Sequence, residues 1–423
     1  MKIEAKWEHN YKGDCLPNFS PNMSLPRHGW YGFKEGFSNT LVERAIKDTN
    51  VVLGKEKITV LDPFSGSGTT VLTALQNNCN SVAIEVNPFM SFVGKTKCSK
   101  ALNDKNFYLS ELKRLMDKKP IEKSSKLENY STFTPNGDNK KWLFNTSVIR
   151  GFESLYSNIM NLESKDFFLL ALYSSVMEFC NAKKDGKCLR YRKNWENLNY
   201  SATHVRDLFH KKCMEIIDDL DACPLTEGER TFYDGDARKA FEQLENNSID
   251  LIVFSPPYLN TFDYSDIYRP ELFLGKFVTT NDDLRLIRKE TLRSHVQHKW
   301  DVCEEVESQW VNNVVSEVVE NSADIWNKEI PNMINCYFYD MEQIMKEAYR
   351  VAVKGAQLWF VVGTSAYSGV EVPVDLMLAD IASKCGWDLN SVNALRKLRT
   401  SSQCSNDEIR KIRLRESLVI CEK

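Results

Sequence analysis

Two short segments of this sequence place residues that could do chemistry directly after apolar runs of strand length. The first runs from Val60 to Thr70 and reads VLDPFSGSGTT. The second runs from Leu251 to Tyr258 and reads LIVFSPPY. The first run ends in a glycine loop that could hold a charged cofactor. The second ends in a rigid corner that could hold a flat ring carrying an amino group.

The glycine loop contains Gly66 and Gly68, which stand between a predicted strand and a predicted helix. At this place in a βα unit the backbone turns tightly and lets a ligand approach its amide groups. Asp62 ends the strand, and its charge favours a cationic ligand such as S-adenosylmethionine over phosphate groups. A nicotinamide dinucleotide fits less well, because its fingerprint needs a third small residue where this chain has Thr70-Val71. A generic strand-to-helix turn is the alternative interpretation.

Further polar residues extend the predicted cofactor site. Thr69 and Thr70 could cap the helix that follows the loop. Glu85 ends the next predicted strand, at roughly the separation where an acid meets ribose hydroxyls in such folds. Asp236 could accept a hydrogen bond from an adenine amine, although an ordinary turn carboxylate explains it equally well.

The segment Ser255-Pro256-Pro257-Tyr258 is predicted to be a stiff corner, since each proline has a fixed φ and cannot extend a strand ladder. It should aim the Ser255 hydroxyl, the Pro256 carbonyl and the Tyr258 ring into one place. Acceptors against the hydrogens of an aryl amine would make its nitrogen more nucleophilic, while the tyrosine stacks on the ring. Proximity to a methyl donor would then supply most of the acceleration. For the two prolines alone, an ordinary turn is the alternative.

Together the two segments resemble the DNA amino-methyltransferase family, which uses S-adenosylmethionine to methylate cytosine N4 or adenine N6. The segment HGWYGFK, from His28 to Lys34, with a predicted helix at Leu41–Ile46, is similar to the family segment before the glycine loop. This similarity implies that Phe33 or Phe37 lines the methionine side of the cofactor. The resemblance covers about 25–90, 231–275 and 335–423, and implies that double-stranded DNA is bound with the target base extruded.

The resemblance also assigns site residues. It implies a catalytic set of Ser255, Pro256, Pro257 and Tyr258, and a cofactor-binding set of Phe33, Asp62, Pro63, Phe64, Gly66, Gly68, Thr69, Thr70, Glu85 and Asp236.

Two departures from the family bear on this interpretation. Many members place Ser-Pro-Pro-Tyr before the glycine loop, whereas this chain places it after, and the stretch between Glu85 and Asp236 resembles no recognition domain of the family. Ser255 favours cytosine N4, because members that act on adenine more often carry aspartate there. Adenine N6 methylation, RNA base methylation and a catalytically silent subunit that binds DNA or cofactor for a partner are the alternatives. The intact motifs argue against the silent subunit.

The elements that must position these residues are predicted from apolar spacing. Strands at Ile58–Leu61 and Ser81–Glu85 flank a helix at Thr70–Gln76, and such βαβ units form parallel sheets. From about 91 to 225 the pattern is helical with no clear strand, and the alternation resumes at Ile249–Phe254. Later elements are predicted as a helix around Met341–Val353 and strands at Gln357–Val362, Ser391–Leu398 and Ser417–Ile420.

We therefore predict an α/β fold, a Rossmann-like doubly wound mixed sheet of the methyltransferase type with a large, mainly helical insertion. Residues 1–90 would form the cofactor-binding half and 91–225 the inserted region, a candidate for target recognition. Residues 226–423 would form the catalytic half, with a smaller insertion near 275–335.

Composition limits the class of protein. The 423 residues carry a net charge of −3, so a nucleic-acid enzyme would need its cations gathered locally. No secretory leader, C-x-x-C pair or membrane-length apolar run is present, which predicts a cytoplasmic protein that does not bind a membrane. His295 and His298 lack acidic or cysteine partners nearby in sequence, so we expect surface histidines and no metal.

The densest basic stretch is predicted to contact DNA, with a solvated loop as the alternative. Its candidate residues are Lys183, Lys184, Lys187, Arg190, Arg192 and Lys193. Cations interleaved with aromatic residues suit phosphate contacts and base stacking. Residues 285–293 and 396–399 are secondary candidates, and the acidic run at 301–307 is expected to be a helix face. A restriction endonuclease is a possible partner.

Overall fold

The computed structural model describes residues 3–7, 17–101, 103–137, 139–185, 188–225, 227–304, 306–321, 325–398 and 414–423. The strands in these ranges are Lys6–Trp7 (β1), Thr59–Asp62 (β2), Asn80–Glu85 (β3), Ala182–Lys184 (β4), Leu189–Tyr191 (β5), Arg230–Asp234 (β6), Ile249–Phe254 (β7), Ala352–Gly363 (β8), Ser365–Tyr367 (β9), Val370–Val372 (β10), Asp388–Lys397 (β11) and Arg415–Glu422 (β12). The helices are Asn39–Leu53 (α1), Thr69–Gln76 (α2), Pro88–Lys97 (α3), Lys105–Met116 (α4), Thr146–Ile159 (α5), Lys165–Glu178 (α6), Ala202–Ala222 (α7), Ala237–Ala240 (α8), Tyr264–Ile267 (α9), Arg269–Leu274 (α10), Asn281–Glu290 (α11), Gln309–Glu320 (α12), Ile330–Val351 (α13) and Val374–Lys384 (α14).

One eight-stranded sheet organises the chain, in the order β1-β11-β12-β8-β7-β2-β3-β6. Strands β6, β3, β2, β7 and β8 are mutually parallel neighbours, whereas β12 is antiparallel to both β8 and β11. The chain moves outward from β2 through β3 to β6, then returns to place β7 on the other side of β2. The predicted doubly wound mixed sheet is confirmed.

The central strand β7 shows why the sheet needs helices on both faces. All six of its residues are buried. Leu251 and Val253 pack in one apolar cluster with α1, whereas Ile252 and Phe254 pack in another with α13 and α14. Because side chains alternate along a strand, a continuous apolar run must be covered on both sides.

Helices α4 to α7 pack around a second apolar core. This core also takes in Trp30 and Tyr31 before α1, and Leu272 and Phe273 on α10. The helical region thus contacts the stretches before and after it in the chain. Its outline as an inserted unit at 91–225 stays a prediction.

Three predicted features differ from the structure. The region expected to lack strands contains the β4–β5 hairpin, and the alternation resumes with β6 rather than at Ile249. Strand β6 has no buried residue and lies at the sheet edge, so its sequence lacks an apolar run. Of the acidic run at 301–307, the described residues are not helical, and α12 begins only at Gln309.

Candidate active site

The glycine loop and the Pro-Pro corner emerge side by side from the sheet. Strands β2 and β7 are parallel neighbours, with Val60 paired to Leu251 and Leu61 to Ile252. Their carboxyl ends open into one crevice where the direction of the strand order changes, which is where open α/β sheets bind ligands. A cavity of about 270 Å³ occupies this crevice, lined from both loops, from the segment before α1, and from the last two strands.

The two loop glycines are required by the local geometry. Gly66 and Gly68 have φ values of +50° and +83°. A Cβ on Gly66 would lie 2.6 Å from Cε1 of Phe33, and a Cβ on Gly68 would lie 2.9 Å from Cα of Gly94 on α3. Only glycine combines this backbone with such close approach. Phe33 therefore lies over the loop at the cavity wall, where Phe37 also lies.

Glu85 joins the glycine loop to β3. Its Oε2 accepts a hydrogen bond from the Gly66 amide at 2.7 Å, and its Oε1 accepts one from the Asn87 amide at 2.8 Å. Burial nevertheless raises the pKa of Glu85 to about 7, against the lowering effect of these amides. Glu85 lines the cavity, so a carboxyl group close to its titration midpoint faces any ligand there.

Asp62 stabilises the start of the glycine loop through a buried hydrogen bond. It is 2% exposed, and its Oδ1 accepts a hydrogen bond from the Phe64 amide at 2.9 Å. Burial raises the pKa of Asp62 to about 7, against hydrogen bonds from Thr70 and Phe64. Among the described residues, Pro63 and Phe64 line the cavity, whereas Asp62 does not. Its position favours an indirect role, in which it fixes the turn and contributes charge.

The other predicted cofactor residues also divide into those that line the cavity and those that do not. Gly68 is the N-cap of α2, and no side chain among the described residues caps this helix, so Thr69 and Thr70 occupy its first turn instead of capping it. Both threonines are buried and lie outside the cavity lining. Asp236 does line the cavity, but it caps α8 through the Arg238 amide and pairs with the Arg238 guanidinium at 2.8 Å.

The four residues of the Pro-Pro corner all line the cavity. The Ser255 hydroxyl donates to the Val361 carbonyl at 2.9 Å, which leaves its oxygen lone pairs as acceptors. The Tyr258 ring lies against Gly363, where a Cβ would be 2.9 Å from the ring. Its hydroxyl donates to Glu416 at 2.6 Å. Burial, then the Glu416 charge, raises the pKa of Tyr258 well above its usual value.

Sequence reasoning missed Glu35, which lines the same cavity. Its Oε2 accepts a hydrogen bond from the Tyr268 hydroxyl at 2.7 Å. Its Oε1 is buried and has no hydrogen-bond partner among the residues that the structure describes. Phe33 stacks on the Tyr268 ring with centroids 5.8 Å apart. The only available signal was the position of Glu35 two residues after Phe33.

His295 was expected at the surface, and this expectation is wrong. The residue is 1% exposed and lines the cavity, because the segment after α11 folds over the pocket. Its Nε2 lies 3.1 Å from the Thr291 hydroxyl, which itself donates to the Arg288 carbonyl. The Thr291 oxygen is thus an acceptor for Nε2–H, and Nδ1 carries the lone pair. Burial lowers the pKa of His295 to about 4, so the ring is neutral at physiological pH.

The predicted DNA-contact stretch contains the β4–β5 hairpin. Lys183, Arg190 and Lys193 are exposed, although Arg190 pairs with Asp185 at 2.7 Å. Lys184 instead forms a short ion pair with the fully buried Glu271 and lies 3.7 Å from the centre of the Tyr268 ring. Arg192 donates to the carbonyls of Cys180 and Glu178. Lys187 lies outside the described residues.

Within the described ranges, no group of three or more His, Cys, Asp or Glu side chains could hold a metal ion. In the same part of the chain, no helix is both long enough and apolar enough to cross a membrane.

The sequence of this chain is similar to those of known proteins. Residues 3–91 match the sequence family described as DNA methylase. The Type II methyltransferase M.BsoBI of Geobacillus stearothermophilus is 26% identical, over 100% of this chain and 92% of that protein. The Type II methyltransferase M.AvaI of a Nostoc species is 24% identical, over 90% of this chain and 83% of that protein.

Among solved structures, an rRNA methyltransferase from Streptomyces viridochromogenes covers 95% of this chain and 92% of its own, with 9% identity and a TM-score of 0.32. The family match and the Type II relatives support the resemblance of this chain to the DNA amino-methyltransferase family. The cofactor of that family is S-adenosylmethionine.

Proposed function

We propose that this protein is a site-specific DNA methyltransferase that methylates an exocyclic base amine, with cytosine N4 favoured. It would act in the cytoplasm as the modification enzyme of a restriction–modification system, beside a partner endonuclease. The observation that carries the proposal is the single cavity in which the glycine loop and the Ser255–Tyr258 corner converge. A cofactor on one loop and a base on the other would meet there.

The cofactor end of the cavity fits a nucleoside that carries positive charge. The Glu85 carboxylate faces the cavity beside Gly66, and Glu35 offers a buried oxygen that has no hydrogen-bond partner in the described part of the chain. Phe33 and Gly66 form a narrow apolar wall between them. When bound, S-adenosylmethionine supplies an electrophilic methyl group on its sulfonium. Glu85 would hold the ribose hydroxyls, while Asp62 would keep the turn in place.

The base end of the cavity fits a planar aryl amine. The Ser255 oxygen and the Pro256 carbonyl would accept the two amine hydrogens, which draws the nitrogen lone pair out of the ring π system. Tyr258 would stack on the base, since its ring is fixed by Gly363 on one side and by Glu416 at the hydroxyl. Most of the acceleration would come from orientation of the amine toward the methyl group.

The preference for cytosine rests on Ser255. Family members that act on adenine more often place aspartate there, and a serine offers a neutral acceptor instead. Adenine N6 remains the second candidate, because both amines present two hydrogens and a flat ring to the same corner.

The target base must leave the duplex to reach this pocket. Two exposed basic surfaces could hold the DNA during extrusion. One is the β4–β5 hairpin with Lys183 and Arg190, and the other is α11 with Arg285 and Lys289. The segment from α11 to His295 also lines the pocket, so contacts there would reach the base itself.

The test is transfer of tritium from labelled S-adenosylmethionine to DNA, followed by nucleoside analysis. We expect N4-methylcytosine as the product. Tyr258→Ala should reduce transfer by roughly 10- to 100-fold, because stacking on an aromatic ring contributes about 1–3 kcal/mol per base. Ser255→Ala should also reduce transfer, and neither variant should alter cofactor affinity by calorimetry. Tyr258→Phe is the matched control and should retain appreciable activity, since it keeps the ring.

Three results would contradict parts of the proposal. Full activity in Tyr258→Ala would remove the base-pocket role of the corner. N6-methyladenine as the sole product would overturn the cytosine preference but not the class of enzyme. Absence of methyl transfer to any DNA, with S-adenosylmethionine bound, would favour a catalytically silent subunit. Sequencing host DNA with modification-sensitive chemistry would then identify the methylated site.

A further inference from the structure

A row of residues crosses the last strands of the sheet at the rim of the base pocket. Arg396 on β11 pairs in register with Glu416 on β12, and Glu416 pairs with Gly363 on β8. The Tyr258 ring lies on Gly363, so it occupies the space that a side chain at this position would fill. The sheet register therefore brings a guanidinium, a carboxylate and the base-stacking ring together.

Glu416 holds the other two residues in place. Its side chain is 3% exposed, and its two oxygens are both used. Oε1 accepts the Tyr258 hydroxyl at 2.6 Å, and Oε2 accepts Nε of Arg396 at 2.5 Å. A buried carboxylate needs such partners, and its charge in turn fixes the cation beside it. Glu416 is thus a positioning residue that acts through Tyr258 and Arg396.

Arg396 presents the rest of its guanidinium at the rim. Its side chain is 47% exposed although its Nε is bound to Glu416. Nη2 donates to the Pro17 carbonyl at 3.3 Å, whereas Nη1 has no partner among the described residues. All three side chains of the row line the cavity. An arginine held by Nε leaves outward N–H groups that suit an oxyanion.

We infer that Arg396 binds a DNA phosphate that flanks the extruded nucleotide, and that Glu416 couples this contact to the ring that stacks on the base. The inference rests on the proposed function. A base lying on Tyr258 carries its phosphates at the rim, one sugar away from the ring. The contact would therefore form with extruded DNA and be absent with DNA bound non-specifically.

The first step of the test establishes the substrate. Wild-type protein is shown to methylate a duplex that carries the site found by host sequencing. DNA affinity is then measured against salt concentration for this duplex and for a duplex of equal length without the site. Failure of methylation at this step would count against the proposed function and not against the role of Arg396.

The second step compares variants. Arg396→Gln should weaken binding of the target duplex roughly three- to tenfold, and should reduce the salt slope by about one, as expected for loss of one phosphate contact. The slope on the duplex without the site should not change. Arg44→Gln is the matched control, because Arg44 has a similar exposure of 44% and an acid partner, Asp48, on α1. It should leave both slopes unchanged.

Removal of Arg396 also leaves the Glu416 charge unpaired, which could destabilise the fold. A second variant therefore separates loss of the phosphate contact from loss of stability. Arg396→Gln combined with Glu416→Gln removes both charges and keeps an amide oxygen near the Tyr258 hydroxyl. It should show the same loss of slope with a normal melting temperature. A parental slope on the target duplex in this double variant would overturn the inference, as would equal loss of slope on both duplexes. A fall in S-adenosylmethionine affinity with an unchanged DNA slope would also overturn it, by assigning the guanidinium to the cofactor carboxylate.

Discussion

Glu85 serves both the fold and the proposed cofactor at once. Its two oxygens accept the amides of Gly66 and Asn87, and it also faces the cavity. Glu85→Ala should weaken binding of S-adenosylmethionine roughly severalfold to a hundredfold, because ribose donors and two backbone amides lose their acceptor. Calorimetry measures this directly. Glu85→Gln should have an intermediate effect, and unchanged affinity in Glu85→Ala would contradict the assignment.

The pKa values of Asp62 and Glu85 predict that cofactor binding depends on pH. Burial raises both to about 7 in the folded protein, whereas unfolded carboxyl groups titrate near pH 4. A bound cation favours the ionised forms, so affinity for S-adenosylmethionine should increase from pH 6 to pH 8, with release of protons. Calorimetry in buffers of different ionisation enthalpy measures that release. Equal heats in all buffers at pH 7 would contradict the prediction.

The raised pKa values of Asp62 and Glu85 also determine whether the free energy of unfolding of the ligand-free protein rises or falls with pH. Between about pH 4 and pH 7, the folded state holds protons on Asp62 and Glu85 that the unfolded state has lost. The free energy of unfolding should therefore fall as pH rises through this range, and Glu85→Gln should reduce the fall.

Motif residues were predictable from sequence, but the side chains around them were not. The sequence identifies Gly66, Glu85 and Tyr258, because each belongs to a motif in which a loop or corner of fixed shape needs that residue type. Glu416 and Arg396 belong to the cavity only because β11 and β12 pair in one register. That register is set by contacts across the sheet, and no local pattern encodes it.

At the scale of elements, the β4–β5 hairpin divides its cations into two groups. Lys183, Arg190 and Lys193 are exposed, whereas Lys184 and Arg192 make internal contacts. Replacing the three exposed cations with glutamine should weaken binding of all DNA sequences and reduce the salt slope by about two to three. Fluorescence anisotropy at several salt concentrations measures this, and cofactor affinity should not change.

The control for this triple variant uses cations on other surfaces. Lys57 and Lys354 are exposed at the amino ends of β2 and β8, opposite the cavity, and Lys47 is exposed on α1. Their replacement with glutamine changes the net charge equally and should leave the salt slope at its parental value. If the hairpin variant also kept the parental slope, the DNA surface would lie elsewhere, with α11 as the next candidate.

Short elements account for most of the difference between the predicted and observed folds. Strands β4 and β5 have three residues each, and β6 has no buried residue, so none of them carries a periodic apolar signal. The long apolar strand β7 was predicted with its observed bounds, because a strand covered on both faces needs a continuous apolar run.

At the scale of the whole molecule, one buried ion pair joins three distant stretches of chain. Lys184 of the hairpin pairs with Glu271 on α10, and the Tyr31 hydroxyl donates to the same carboxylate at 2.5 Å. Lys184→Met should lower the free energy of unfolding by about 3–5 kcal/mol, since it leaves a buried carboxylate without its cation. Urea denaturation followed by fluorescence measures this.

A double variant separates the two possible roles of Lys184. Lys184→Met with Glu271→Gln removes the unpaired charge and should recover much of the lost stability. If Lys184 were instead a phosphate-contacting residue, Lys184→Met would leave the urea midpoint unchanged and reduce the salt slope of DNA binding.

The position of β1 bears on the unusual order of the two motifs. Lys6 pairs with Asn393 in parallel, and Asp388 lies opposite Glu422 at the other end of the β11–β12 pair. The end of β12 is therefore level with the start of β11, whereas Lys6 is level with the middle of β11. The two points are two strand spacings or about 10 Å apart across the sheet, and about 15 Å apart along the strands. A short peptide could join them, and the chain could be opened at the exposed segment 117–124. Such a circular permutation would read Ser-Pro-Pro-Tyr before the glycine loop and leave every side chain of the cavity where it is.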